Sequence, residues 1–126
     1  DARPREPTLM PSKYIRNIIW NRDLGVCWHC GSEETTIHHR RNRGAGGDRT
    51  KSKVADRPSN LLTICPEYNF LMESDLNVIR EAREKGWKLQ MGQMSTDTPV
   101  YRFDGTWWWL TDLGKAFRVT EGGKDE

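Results

Sequence analysis

The chain has 126 residues, which is enough for one compact domain with one modest hydrophobic core. Hydrophobic residues make up 35% and charged residues 30% of the sequence, so the chain is polar but carries enough apolar side chains to fold. No apolar run approaches the roughly 18 residues that a membrane span requires, which excludes a transmembrane helix and argues against a membrane partner.

The formal net charge is only +2, but the basic residues are unevenly distributed. Between Ile37 and Arg57, seven basic residues stand against two acidic ones. A cluster of this size suits the phosphate backbone of a nucleic acid, although a solvated loop would have the same composition. We predict that DNA phosphates are bound here by Arg40, Arg41, Arg43, Arg49, Lys51 and Lys53.

Three cysteines, an odd number, argue against a disulfide framework. The start of the sequence shows no signal-peptide pattern, so we expect a cytoplasmic protein whose thiols are free or bind a metal ion.

The N-terminal part of the chain predicts an arm, a helix and a strand. Residues 1–11 contain three prolines and no periodic apolar pattern, which indicates a flexible arm. A helix capped by Ser12 and ended by Gly25 is predicted because four apolar residues recur at helical spacing, namely Tyr14, Ile15, Ile18 and Ile19. The β-branched segment 35–39 predicts a short strand that ends in two histidines.

The rest of the chain predicts a long loop over residues 41–60, a strand over 61–64, and a helix from Asn69 to Lys85 that stops at Gly86. Two apolar segments, 100–103 and 106–110, flank Asp104-Gly105, which is a strong signal for a β-hairpin. Residues 12–120 are expected to form a single α+β domain, and 121–126 a disordered tail.

The order strand, loop, strand and helix, with two histidines closing the first strand, resembles the ββα-metal core of the bacteriophage HNH endonucleases. The likeness covers residues 27–89, about half of the chain. It is carried by Cys27-Trp-His-Cys-Gly31, Ile37-His-His-Arg40, Arg43-Gly-Ala-Gly-Gly47, Pro58-Ser-Asn-Leu-Leu62, Cys65 and Asn69-Phe-Leu-Met-Glu-Ser-Asp75. It implies an HNH core with a zinc-knuckle-like turn, to which this chain adds an N-terminal helix and a C-terminal β-hairpin.

The resemblance implies a divalent-metal-dependent endonuclease that hydrolyses DNA phosphodiester bonds with one Mg²⁺ or Mn²⁺ ion, by nicking or by double-strand cleavage. It also implies phage genome processing or packaging, with the packaging machinery as a partner in the infected bacterial host. The main alternative is a nucleic-acid-binding module that kept the fold and lost catalysis. A further alternative is a zinc-knuckle domain for protein interaction.

By the same resemblance, His39 is the general base and His38 a metal ligand, whereas a pair of ordinary surface histidines would need neither role. Asn60 stands where the motif asparagine steadies the loop that carries the base. An asparagine after Pro58-Ser59 would also be explained by turn chemistry.

Asn69 stands where many HNH proteins carry a metal-binding histidine. Its amide oxygen would suit Mg²⁺ or Mn²⁺, but a helix N-cap would also explain this residue. Glu73 follows one helical turn later on the same face, so it either adds a carboxylate to the metal site or is an exposed helix residue.

The knuckle has only three cysteines, Cys27, Cys30 and Cys65, where a structural zinc site needs four ligands. Tyr68 stands at the position where a second Cys-x-x-Cys pair would end. Either His29 or water completes the cage, or the cysteines pack as small apolar groups around Tyr68. Because neutral tyrosine is a poor ligand, we favour the zinc-free arrangement and expect well under one zinc ion per chain.

Overall fold

The structure is a computed structural model that describes residues 11–41, 55–120 and, for the backbone alone, 123–124. Within these residues lie three α-helices, α1 (Lys13–Arg22), α2 (Pro66–Ser74) and α3 (Leu76–Glu84). The same residues form six short strands, β1 (Thr36–His39), β2 (Leu61–Ile64), β3 (Val100–Tyr101), β4 (Trp107–Leu110), β5 (Ala116–Thr120) and β6 (Gly123–Lys124). The predicted α+β class is confirmed. None of the described helices has the length and apolar character that crossing a membrane requires.

Helix α1 begins where the sequence predicts. The Ser12 side chain accepts a hydrogen bond from the backbone N–H of Ile15 at 3.2 Å, as an N-cap does. Ile19 is the fully buried residue of this helix. At its end, the Arg22 guanidinium donates to the carbonyl oxygens of Pro58 and Leu61, which attaches α1 to the start of β2.

Strands β1 and β2 form an antiparallel pair in which His38 lies opposite Leu62 and His39 opposite Leu61. All four residues of β2 are buried. Helix α2 follows β2 directly and packs against β1. The last two residues of β1 and the start of α2 are therefore held close together.

The helix predicted from Asn69 to Lys85 is wrong in its start and in its continuity. Helix α2 already begins at Pro66, a residue whose fixed φ suits the first helical position. It ends at Ser74, and the side chain of the next residue, Asp75, caps α3 by accepting from the backbone N–H groups of Asn77 and Val78 at 2.8 and 3.2 Å. The two helices are separate because Asp75 adopts an extended conformation.

Gly86 ends the helical region, as predicted. Its φ of +81° is in the left-handed region, and a Cβ there would lie 2.0 Å from the carbonyl oxygen of Pro99. The chain can therefore turn here and run on towards β3 only with glycine at this position.

The predicted C-terminal hairpin is confirmed, with Val100 opposite Trp108 and Tyr101 opposite Trp107. Strands β5 and β6 extend it to a four-stranded antiparallel sheet, which the sequence analysis did not predict. Two residues of the tail predicted to be disordered, Gly123 and Lys124, pair with β5. The other residues of that tail, and residues 1–10 of the predicted arm, lie outside the described residues.

One hydrophobic core connects both sheets and the helices α2 and α3. Its buried members are Cys27, Trp28, Leu62, Ile64, Tyr68, Met72, Ala82, Trp87, Val100 and Leu110. Trp28 and Trp87 supply the largest surfaces in this core. The neighbouring knuckle turn and the first turn of α2 are consequently anchored on one packed interior.

Candidate functional site

His38 is the buried member of the histidine pair, with 3% of its surface exposed. Its Nε2 atom lies 2.6 Å from the carbonyl oxygen of Trp87, and its Nδ1 atom lies 3.1 Å from Oδ1 of Asn69. A carbonyl oxygen can only accept, so Nε2 carries the hydrogen and donates it to Trp87. The lone pair of the neutral ring is therefore on Nδ1 and faces Asn69.

The surroundings keep this imidazole neutral. Burial is the main cause that lowers the pKa of His38 to about 4, and the positive charge of Lys88 adds to it. The hydrogen bond to the Trp87 carbonyl opposes the shift without cancelling it. At neutral pH the ring is consequently uncharged, and its Nδ1 lone pair is directed at Asn69.

Asn69 lies in the first turn of α2, three residues after Pro66, and it does not cap the helix. The alternative that made Asn69 an N-cap is therefore wrong. Its Oδ1 and Nδ1 of His38 are two acceptors at 3.1 Å, which is unfavourable unless a positive charge or a donor lies between them. A divalent ion with bonds of about 2.1 Å places neighbouring ligands about 3 Å apart, so the pair fits such an ion. The same pair would be satisfied by an amide turned to donate from Nδ2.

Asn69 is accessible from an open depression whose walls are Thr36, Pro66, Asn69, Phe70 and Glu73. The Glu73 carboxylate is engaged elsewhere, because its Oε2 accepts a hydrogen bond from Nζ of Lys88 at 3.0 Å. The structure thus places Glu73 beside Asn69 but pairs it with a lysine. Its expected role as a metal ligand stays a prediction.

His39 is engaged by a carboxylate. Its Nε2 lies 2.9 Å from Oδ1 of Asp56, and both side chains are largely buried. The carboxylate accepts, so Nε2 carries the hydrogen and Nδ1 of the neutral ring can take up a proton. The sequence analysis missed Asp56, which lies 17 residues further along the chain. An acidic residue at the end of a basic stretch is a signal that could have found it.

Asn60 connects the two ends of the segment between β1 and β2. Its Oδ1 accepts from the backbone N–H of Arg41 at 2.8 Å, and its Nδ2 donates to the carbonyl oxygen of Ala55 at 2.8 Å. Ala55 immediately precedes Asp56, the partner of His39. The contacts make Asn60 a positioning residue for the His39–Asp56 pair, and it was predicted to steady this region.

Arg40 was predicted to bind DNA phosphates, and the structure contradicts this. It is fully buried, and its guanidinium donates to four backbone carbonyl oxygens, those of Ser59, Gly86, Ser95 and Thr98. Burial lowers the pKa of Arg40 to about 9, so the side chain is still charged at neutral pH. Its role is to connect four segments of the fold.

Of the other predicted phosphate contacts, only Arg41 lies within the described residues. Arg41 is exposed, and its guanidinium also donates to the carbonyl oxygen of Gln93. The remaining four lie outside the described residues, namely Arg43, Arg49, Lys51 and Lys53.

A second cluster lies at the knuckle. One ligand atom from each of Cys27, His29, Cys30 and Cys65 lies within 4.8 Å of the others, so this Cys/His cluster could hold a metal ion. The sequence analysis counted three ligands and left His29 open as the fourth. The structure brings His29 to the three cysteines, so the prediction of well under one zinc ion per chain loses its premise, which was a count of three ligands.

Comparison with protein-family models, with curated proteins and with solved structures gives no match for this chain.

Proposed function

We propose that this protein is a divalent-metal-dependent endonuclease of DNA, with Mg²⁺ or Mn²⁺ held by His38 and Asn69. The observation that carries the proposal is the pair of facing acceptors, Nδ1 of a neutral buried imidazole and Oδ1 of an amide, 3.1 Å apart. The amide oxygen is a ligand type that suits Mg²⁺ and Mn²⁺, and a neutral imidazole nitrogen is a common ligand of divalent transition-metal ions. The next residue of the strand, His39, forms a separate pair with a carboxylate, as a general base would.

The local fold supports the assignment to a ββα-metal core of the HNH kind. An antiparallel strand pair leads directly into a helix, the histidines close the first strand, and Asn69 lies in the first turn of the helix. We extend the proposal to a bacteriophage HNH nuclease that acts in genome processing or packaging, and this last step rests on the sequence resemblance alone.

In this proposal His38 and Asn69 bind the cation, and His39 of the same strand transfers the proton. Nδ1 of His39 takes a proton from the attacking water, and Asp56 holds the ring and stabilises its protonated form. Asn60 holds the backbone at both ends of the segment that leads to Asp56. The divalent ion, when bound, supplies the positive charge that stabilises the phosphate and the leaving oxygen.

The exposed Arg41 and the four basic residues between positions 42 and 54 are the proposed contacts to the DNA backbone. For the Cys/His cluster we propose zinc, because three sulfur atoms and one imidazole nitrogen form a ligand set that structural zinc sites use.

Cleavage of supercoiled plasmid tests the proposal. The purified protein should give nicked or linear product with Mg²⁺ or Mn²⁺ and none with excess chelator. His39→Ala, purified in the same way, controls for contaminating nucleases and should lower the rate by about 10² to 10⁴.

The catalytically inactive binding module gives a different result. It would shift the plasmid or a short duplex in a gel without any cation-dependent product, and His39→Ala would behave like the wild type. Such a result would overturn the endonuclease proposal and leave DNA binding as the function.

A further inference from the structure

The knuckle cluster joins two parts of the chain that lie far apart in the sequence. Cys27, His29 and Cys30 come from a tight turn closed by a hydrogen bond from the Gly31 N–H to the Cys27 carbonyl at 2.8 Å. Cys65 comes from the residue between β2 and α2. The four ligand atoms lie within 4.8 Å of one another.

The sulfur atom of Cys27 accepts two backbone hydrogen bonds, which would stabilise a negative charge on it. It lies 3.2 Å from the backbone nitrogen of His29 and 3.1 Å from that of Cys65, and both N–H groups donate to it. Two N–H donors on a buried sulfur are therefore suited to a metal-bound thiolate.

The imidazole of His29 has a buried nitrogen atom, Nδ1, without a hydrogen-bond partner among the described residues. Such an atom costs about 1 to 3 kcal/mol when it is left unsatisfied, and a bound ion or its ligand shell would remove that cost.

Tyr68 holds this ring in place. The Tyr68 and His29 rings stack at 3.7 Å between centroids with 12° between their planes, and Trp87 contacts the His29 ring by its edge at 5.4 Å. The Tyr68 hydroxyl donates to Glu81, and burial raises the pKa of Tyr68 further above its usual value. Tyr68 is consequently a support for His29 and a poor candidate for a ligand.

We propose that Cys27, His29, Cys30 and Cys65 bind one zinc ion, with His29 as the fourth ligand. Zinc prefers four sulfur or nitrogen ligands in a tetrahedron, and bonds of about 2.0 to 2.3 Å place those ligands roughly 3.3 to 3.8 Å apart. The ligand atoms of this chain all lie within 4.8 Å of one another, so they surround one point at which such an ion could be bound. The ion connects the knuckle to the residue that precedes α2, and this site does not depend on the proposed nuclease activity.

Zinc content tests the site without any DNA. Protein purified in a reducing buffer without chelator should contain about one zinc ion per chain, measured by mass spectrometry of the metal and by release on thiol modification. Cys65→Ser and His29→Ala should each weaken zinc binding at least tenfold. Tyr68→Phe is the matched control, because it keeps the stacked ring and removes only the hydroxyl, and it should bind zinc like the wild type.

A second measurement avoids any dependence on how the variants fold. In the zinc-loaded wild type, a long-range proton–nitrogen NMR spectrum should show one histidine nitrogen with the shift of a metal-bound imidazole, and this signal should revert on chelation. The proposed site is overturned if the wild-type protein takes up no zinc. It is also overturned if two of the cysteines form a disulfide, with a mass loss of two hydrogens, even in reducing buffer. Zinc binding by His29→Ala at wild-type affinity, together with no histidine shift in the wild type, overturns the role of His29.

Discussion

The protonation of His38 decides whether the proposed cation site can work near neutral pH. Its imidazole is buried between Asn69 and the carbonyl oxygen of Trp87, with Lys88 close enough to disfavour a positive charge. A protonated ring would turn Nδ1 from a ligand into a donor and would exclude the cation. The depressed pKa of His38 is thus a condition for the proposed chemistry.

We predict that one of the three histidines titrates with a midpoint of about pH 4, and that its NMR signal is missing in His38→Gln. The folded pKa is below the ordinary value of 6.5, so the unfolded chain takes up the proton first. Stability from this residue is complete above pH 6.5 and falls as the pH decreases towards 4, by on the order of 3 kcal/mol in total. A His38 midpoint above pH 6 would contradict the described surroundings.

The pair of His39 and Asp56 gives a second prediction at this scale. Asp56→Asn keeps the size of the side chain but removes the charge that holds and stabilises the protonated base. We expect kcat for plasmid cleavage to fall at least about tenfold, with an unchanged KM and an unchanged urea midpoint. If the variant and the wild type have equal kcat, Asp56 contacts His39 without contributing to catalysis.

Residue types and order were enough to select His38, His39, Asn60 and Asn69, since each has a chemistry that matched its place in the motif. They could not show the partners of these residues, because Asp56 and Trp87 reach the site only through the folding of distant segments. For Arg40 the sequence predicted a phosphate contact that the structure contradicts. A basic residue in a basic stretch suits phosphate, and only the fold shows that its guanidinium points inwards.

At the scale of the elements, Arg40 connects the end of β1 with segments around Ser59, Gly86, Ser95 and Thr98. Each of these carbonyl oxygens is an acceptor that loses a charged donor when the side chain is removed. The backbone of Arg40 also pairs with Asn60 and Leu89. The charge is therefore part of the framework that carries the two histidines.

We expect Arg40→Met to lower the free energy of unfolding by about 3 kcal/mol or more, because it leaves buried acceptors without partners. Arg41→Met is the matched control on the neighbouring exposed residue, and it should cost less than about 1 kcal/mol. Urea unfolding of both variants measures the difference. Similar losses in the two variants would contradict the structural role of Arg40.

Local signals in the sequence located α1, β1, β2 and the hairpin of β3 and β4, because caps, β-branched runs and an Asp-Gly turn act over a few residues. They were less successful where one element continues into another. Apolar residues recur at helical spacing through α2 and α3, so their periodicity predicted a single helix. In the structure Asp75 caps α3 and separates the two helices. Strand β5 was not predicted from the sequence, although Phe117 to Thr120 alternate between partly buried and exposed residues.

For the molecule as a whole, the two clusters sit on one framework. The knuckle contributes Cys27 and Trp28 to the same core as Met72 of α2, and Cys65 immediately precedes the helix that presents Asn69. The Cys/His cluster offers three sulfur atoms, whereas the His38–Asn69 pair offers one nitrogen and one oxygen, so the two sites differ in ligand chemistry. In our proposal zinc supports the fold and Mg²⁺ or Mn²⁺ takes part in the chemistry.

The central claim is that Asn69 binds the catalytic cation while His39 transfers the proton, and the Mn²⁺ dependence of plasmid cleavage separates these roles. Asn69→Ala should raise the Mn²⁺ concentration for half-maximal cleavage at least about tenfold, whereas Asn69→Asp, which keeps an oxygen ligand, should retain cation-dependent turnover. His39→Ala should lower the maximal rate by about 10² to 10⁴ at an unchanged half-maximal concentration. Cleavage by Asn69→Ala and His39→Ala with the wild-type rate and the wild-type Mn²⁺ dependence would contradict the account.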